Sequence, residues 1–262
     1  MENSTLSYFI KSEVFEKLPK SIIEKLCKNA QIVKFSLGDT LVEEDKIPGN
    51  ILLIKNGNAR LIGEIDGKTS SFGKFGSGSL LGAASLLSGR PCENFIATDD
   101  LEAFSIHEDI WVDLYLNSIE FKNWCDNLLF PQEIIHLIRS LDKISPRRNV
   151  DLQENINQAL STAFLVDPLA LDFNSNSDEK REIFLCCNWD KRYKDLQKID
   201  LLKFEYNSKI FNPRLISIPI EVSKNIIQDY GNNIIKTNTT QYANVNQNVL
   251  NSSSQYNSDI PL

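Results

Sequence analysis

Residues Gly78–Ala97 read GSLLGAASLLSGRPCENFIA, and the reading of this stretch decides the fold. Glycines at 78, 82 and 89 sit where the chain must turn tightly and where backbone N–H groups can approach a neighbour closely. Leu80-Leu81 reads as a short strand, Ala83 to Ser88 as a short helix, and Asn94 to Thr98 as the strand that follows. The result is a helical elbow inserted between strands, with amides from Gly82 to Ala84 facing an anion. Without side-chain help those amides make a weak site.

Upstream of the elbow the apolar period is two. Ile32-Val33-Lys34-Phe35, Thr40-Leu41-Val42-Glu43, Ile51-Leu52-Leu53-Ile54, Ala59-Arg60-Leu61-Ile62 and Thr69-Ser70-Ser71-Phe72 are strands. They are separated by Gly38-Asp39, Pro48-Gly49-Asn50, Asn56-Gly57 and Asp66-Gly67, of which the last two are strong hairpin signals. Leu101 to Ile106 closes the series. Short strands ended by glycine turns indicate an antiparallel sandwich or barrel, and a jelly roll fits the count. Helices flank it. Phe15, Leu18, Ile22, Ile23 and Leu26 recur at helical spacing over 12–30, with a break near Pro19. A helix opens at His107 and runs through Tyr115, another covers Ile119 to Leu129, and a third runs from Gln132 to Leu141 behind Pro131. The fold class is therefore mainly β with flanking helices.

The chain divides into an extension over 1–11, the barrel with its helices over 12–145, a smaller α/β region over 146–231, and a tail over 232–262. The edge is placed near Ser145. In the third part Leu152 to Phe164 reads as a helix, and Ile183 to Trp189 and Leu215 to Val222 read as strands. From Asn232 onward the chain is rich in Asn, Ser, Gln and Thr. Such a composition buries too little apolar surface to offset its ordering entropy and is expected to be disordered.

Composition excludes several classes. Among 262 residues there are 28 basic and 35 acidic ones, a net charge of −7, which argues against a nucleic-acid surface. No apolar run approaches a membrane span, and the N-terminus lacks the pattern of a secretory signal. Five scattered cysteines (Cys27, Cys92, Cys125, Cys186 and Cys187) fit a reduced, cytoplasmic setting. Cys186-Cys187 reads as two small apolar residues of a buried strand rather than a redox pair. His107 and His136 have no Cys or carboxylate cluster at metal-ligand spacing, so no metal is expected. Glu43-Glu44-Asp45, Pro146-Arg147-Arg148 and Lys191-Arg192-Tyr193-Lys194 read as solvated charges. Gly73, Gly76, Gly78 and Gly82 do not have dinucleotide-binding spacing.

The elbow resembles the phosphate-binding cassette of cyclic-nucleotide-binding domains. Gly78, Gly82, Leu86, Leu87, Gly89, Pro91 and Ala97 stand at matching positions. The resemblance implies a double-sheet jelly roll, and it implies a Glu for the ribose hydroxyl and an Arg for the cyclic phosphate. Those two places hold Ala83 and Cys92, and the degenerate pocket that the resemblance implies comprises Gly82, Ala83, Ala84, Ser85, Cys92, Glu93 and Asn94. Each lost hydrogen bond to a charged group removes about 1.5–3 kcal/mol, so affinity is expected to fall by about two to four decades. Neither cAMP nor cGMP is expected as ligand, and no cofactor is expected. Leu80-Leu81-Gly82, Ser85-Leu86-Leu87, Gly89, Pro91-Cys92-Glu93 and Ile96-Ala97 are similar to the N-terminal domain of cyanobacterial peptidase-containing ABC exporters. Asn212-Pro213-Arg214-Leu215-Ile216 and Pro219 agree more loosely. No G-x-x-x-x-G-K-[ST] phosphate loop is present.

The resemblance implies a non-catalytic regulatory or interaction module with a degenerate pocket. Its partner would be a protein, an exporter in the membrane, which would hold this cytoplasmic chain there. A true cyclic-nucleotide receptor using backbone amides and Asn94 is the alternative. A transcription regulator of the cAMP-receptor type is the second, and it would need a helix-turn-helix that 150–230 does not display. No nucleophile, base and oxyanion set can be assembled for an enzyme.

Overall fold

The computed structural model describes residues 2–65, 67–144, 151–167, 180–188, 192–194, 196–205 and 211–226. Two four-stranded antiparallel sheets make a jelly roll. One holds β1 (Gln31–Phe35), β8 (Leu101–His107), β3 (Asn50–Asn56) and β6 (Leu80–Leu81), in that order. The other holds β2 (Thr40–Val42), β7 (Phe95–Ala97), β4 (Ala59–Ile65) and β5 (Lys68–Phe75). Each expected barrel strand is present. Gly57 takes φ +86° at its hairpin, as the Asn-Gly signal demands, and a Cβ there would lie 2.6 Å from the Asp100 carbonyl.

Four successive residues of β3, Ile51 to Ile54, are buried, so this strand is covered on both faces. Alternation sends Ile51 and Leu53 to one side, where they join a helical core with Phe104, Ile106, Trp111 and Phe121. That core is built by α2 (Lys20–Lys28), α4 (Glu108–Asn117) and α5 (Ile119–Asn127). The segment 1–11, set aside above as an extension, contains the helix α1 (Glu2–Lys11). Its Phe9 is fully buried, 5.6 Å from the Phe15 ring and 5.1 Å from Phe104. Tyr8, 5.5 Å from the Phe104 ring, and Leu6 pack beside it, a short apolar set in a polar stretch that gives little periodicity.

The elbow forms α3 (Ala83–Ser88), and the helix that crosses the barrel is α6 (Pro131–Ile144). Beyond it lie α7 (Leu152–Thr162), β9 (Phe164–Leu165), β10 (Arg181–Leu185), β11 (Leu215–Pro219) and α8 (Ile220–Ile226). The three strands pair antiparallel in the order β10-β11-β9. The apolar run Leu215 to Val222 is thus half strand and half helix, since a short apolar run fits a buried strand and a buried helix equally well. Cys186 and Cys187 are buried just past β10. The described residues up to Ile226 lie in one compact unit. The edge at Ser145, the strand end at Trp189, Pro146-Arg147-Arg148 and the tail from Asn232 lie outside the described residues.

Candidate functional site

Gly82 opens α3 with φ +90°, a left-handed conformation in which a Cβ would lie 2.9 Å from Pro48 and 3.1 Å from the Asn50 carbonyl. Glycine is required there by both conformation and space. This places the N–H groups of the first turn around one point. The expected donors were the amides of Gly82 to Ala84; those that converge are the N–H groups of Gly82 and Ser85. Both donate to the carboxylate of Glu93, at 2.9 Å each, one to each oxygen. Glu93 is 1% exposed, and α3 is buried along its whole length. A carboxylate of the chain itself occupies the cradle that the helix start offers to an anion. Burial pushes the Glu93 carboxyl up to about 7, and the two N–H bonds offset part of that cost.

Cys92 is buried beside it. Its N–H donates to Ser85 Oγ at 3.1 Å, and its Sγ lies 3.5 Å from the same hydroxyl. Burial, with Glu93 next to it, pushes the thiol well above its ordinary range, so it remains protonated. Ala83 and Ala84 are fully buried. Asn94 turns away and donates to Glu44 at 3.2 Å. Of the seven candidate residues, Gly82, Ser85, Cys92 and Glu93 therefore meet at one point, Ala83 and Ala84 pack, and Asn94 faces the rim.

The opposite wall comes from α6. Gln132 Nε2 donates to the Leu80 carbonyl at 3.1 Å, just before the cassette. Two turns on, the Arg139 guanidinium lies 4.4 Å from the centre of the Phe72 ring on β5 and against Gly63 on β4. Gly63 and Phe72 belong to the buried faces of their strands. Arg139 is 8% exposed, among the described residues its Nε has no hydrogen-bond partner, and it faces the Glu44 carboxylate at 3.9 Å. Burial lowers its affinity for the proton. His136 on the same helix is held well below its usual range by burial and by Arg90, Arg139 and Lys143. Arg139 carries no distinguishing mark in the sequence: an arginine in an amphipathic helix reads as surface.

The remaining candidates have local roles. His107 caps α4, accepting the Asp109 N–H at 3.3 Å. Glu43 pairs with Lys46 at 2.7 Å on the surface. Among the described residues no group of three or more His, Cys, Asp or Glu side chains is placed to hold a metal ion, and no helix is long and apolar enough to cross a membrane.

Residues 32–118 match the family model described as the cyclic nucleotide-binding domain, and the jelly roll has that domain's fold. No curated protein matches the chain. Among solved structures, the chain is similar to the regulatory subunit of a cAMP-independent protein kinase A from Trypanosoma cruzi bound to guanosine. Identity is 15% over 47% of this chain and 47% of that one, with a TM-score of 0.39, so the match spans less than half of the subunit. A cyclic nucleotide-binding domain from Methylobacillus flagellatus aligns at 21% identity over 47% of this chain and 70% of its own, with a TM-score of 0.40. The sensor domain of the transcriptional regulator DNR from Pseudomonas aeruginosa aligns at 10% over 47% and 83%, with a TM-score of 0.42.

Proposed function

We propose that this chain is a non-catalytic regulatory or interaction module whose cyclic-nucleotide-type pocket is filled by its own side chains. The observation that carries the reading is the Glu93 carboxylate on the Gly82 and Ser85 amides. A cyclic phosphate would need the same two donors, and it would meet a carboxylate and a neutral thiol where it requires a cation. Like charges in one low-dielectric cradle repel strongly. Arg139, laid on Phe72 and Gly63, occupies the barrel mouth in the same way. A pocket plugged at both ends suits a domain that acts through protein contacts.

Titration calorimetry with cAMP and with cGMP tests this. No binding is expected at micromolar ligand. A dissociation constant in the low micromolar range or below overturns the proposal in favour of a cyclic-nucleotide receptor, and salt-sensitive retention on DNA would favour a transcription regulator. The partner we propose is an ABC-type exporter, on the strength of the sequence resemblance alone. Reading the coding sequence around and beyond Leu262 checks it: an exporter frame is expected, and a DNA-binding helix pair in its place counts against it.

A further inference from the structure

The plugged pocket has two walls, α3 and α6, and both are gripped from outside by the same end of one strand pair. β10 and β11 pair with Leu185 opposite Leu215, and the ladder continues past that pair through a Cys186 N–H bond to the Arg214 carbonyl, at 2.7 Å. Asn188, just past β10, donates its backbone N–H to the Ser88 carbonyl at the end of α3, at 2.9 Å. Arg214, just before β11, enters the first turn of α6. Its Nε donates to Glu133 Oε1 at 2.7 Å and its Nη2 to Glu133 Oε2 at 2.5 Å. The same guanidinium donates to the Cys125 carbonyl at 2.9 Å and to the Leu128 carbonyl at 2.6 Å, both at the C-terminal end of α5.

Arg214 and Glu133 are 3% and 0% exposed. Two further residues seat this end of β11: Phe211 meets Tyr115 edge-on at 4.6 Å, and Asn212 donates its N–H to Tyr115 Oη and its side-chain amide to Asp126. Glu133 adjoins Gln132, which holds Leu80, and lies on the helix that delivers Arg139 to the barrel mouth.

We propose that the β10–β11 end is a built-in clamp that bridges the cassette helix α3 and the covering helix α6 and holds the pocket closed in the place of a diffusible ligand. The proposal rests on the reading of the pocket as self-filled. A ligand lying between α3 and α6 would hold both walls at once, and here the strand pair does so from behind. Arg214 acts as a positioning residue: it does not touch the pocket but fixes the α5–α6 corner from which α6 departs. A partner that pulled on the β10–β11 sheet would therefore loosen both walls together.

Hydrogen exchange read by mass spectrometry on the full chain tests the clamp. In Arg214→Lys the charge stays but the two-pronged geometry is lost. Exchange is expected to quicken about tenfold or more in both 80–93 and 131–144, with the β1–β8 and β3–β8 ladders unchanged. Faster exchange in 131–144 alone overturns the clamp and leaves Arg214 as a helix cap. Should the variant fail to fold, native-state exchange of the unaltered chain in rising denaturant decides. The clamp requires 80–93, 131–144 and the β10–β11 strands to open as one unit, before β3 and β8; a cassette that opens with the barrel strands instead refutes it. The calorimetric titration above is independent. Cyclic-nucleotide binding with intact joint opening would sink the self-filled pocket and spare the clamp.

Discussion

At Glu93 two effects oppose each other. Two backbone N–H groups favour the carboxylate, and complete burial disfavours it, with Glu133 adding like charge. Burial wins, because the carboxyl is pushed from 4.5 up to about 7. The folded chain therefore holds a proton that the unfolded chain has lost between those values. The sign follows from linkage: this contribution to stability is full below about pH 4.5 and is lost as pH rises through about 7. The amount is on the order of 3 kcal/mol at most. His136 acts in the opposite sense. Its folded value lies well below 6.5, so its contribution is lost as pH falls below that point. The melting temperature of the native chain minus that of Glu93→Gln, a difference in which the His136 contribution cancels, should decline as pH rises from 5 to 8. A difference that stays constant across that range would mean that Glu93 is not buried in the cradle. The same geometry revises the obvious repair of the pocket. Restoring Cys92→Arg and Ala83→Glu puts two charged groups where Ala83 and Cys92 are 0% and 6% exposed, while Glu93 still holds the amides. Overpacking alone costs about 1–3 kcal/mol. The double variant is expected to melt lower and to gain no affinity for cAMP by calorimetry. A micromolar site arising without any change at Glu93 would contradict the self-filled reading.

The contact between β4 and α6 is the element-level counterpart. Arg139 is a nearly buried cation whose Nε has no hydrogen-bond partner among the described residues, and a Cβ on Gly63 would fall 2.0 Å from its Nη2. The far end of an arginine can move. Gly63→Ala is therefore expected to displace the guanidinium at little cost, within about 1 kcal/mol. Arg139→Met is expected to be neutral or stabilising by about 1–2 kcal/mol, because an apolar side chain of similar length removes a buried charge. Chemical denaturation of both single variants and the double should then show non-additivity, since in Arg139→Met the alanine meets a smaller neighbour. A loss above about 2 kcal/mol in Arg139→Met would mean that the Phe72 and Glu44 contacts outweigh burial. This pair also marks how far the sequence could be read. The strands were legible because Asn56-Gly57 and its companions punctuate a period of two, and the elbow because Gly82 and Gly89 must adopt left-handed backbone. The seven candidate pocket positions came from the resemblance to the cassette. That Glu93 turns inward onto the Gly82 amide was not, since an acidic residue after Cys92 carries no mark of its direction. Arg139, Gln132 and Arg214 act across separations of 76, 52 and 81 residues to their partners Gly63, Leu80 and Glu133. Contacts of that range are set by packing, which local pattern does not encode.

For the molecule as a whole the question is whether the barrel stands without the sheet behind it. The expected boundary near Ser145 suggests a separable domain, whereas Arg214 places the opposite requirement on it. Glu133 is fully buried and has Arg214 as its cationic partner at 2.5 Å, while the carbonyls of Cys125 and Leu128 share the same guanidinium. A chain ended after Ile144 keeps the carboxylate and the carbonyls and loses the cation. Removing one partner of a buried pair costs about 3–5 kcal/mol, which is a large part of the stability of an ordinary domain. The truncated chain is thus expected to melt well below the full one or to fold incompletely. A second substitution separates this cause from the loss of packing surface. Glu133→Gln keeps a carbonyl for the Phe130 N–H, which Glu133 Oε2 now accepts at 3.1 Å, and carries no charge. In the truncated chain it should recover part of the lost stability. In the full chain it should destabilise, because it leaves the Arg214 cation buried without its counter-charge. The two thermal shifts are expected to have opposite signs. Shifts of the same sign in both backgrounds would mean that the ion pair does not join barrel and sheet, and that the 12–145 segment is an independent folding unit after all.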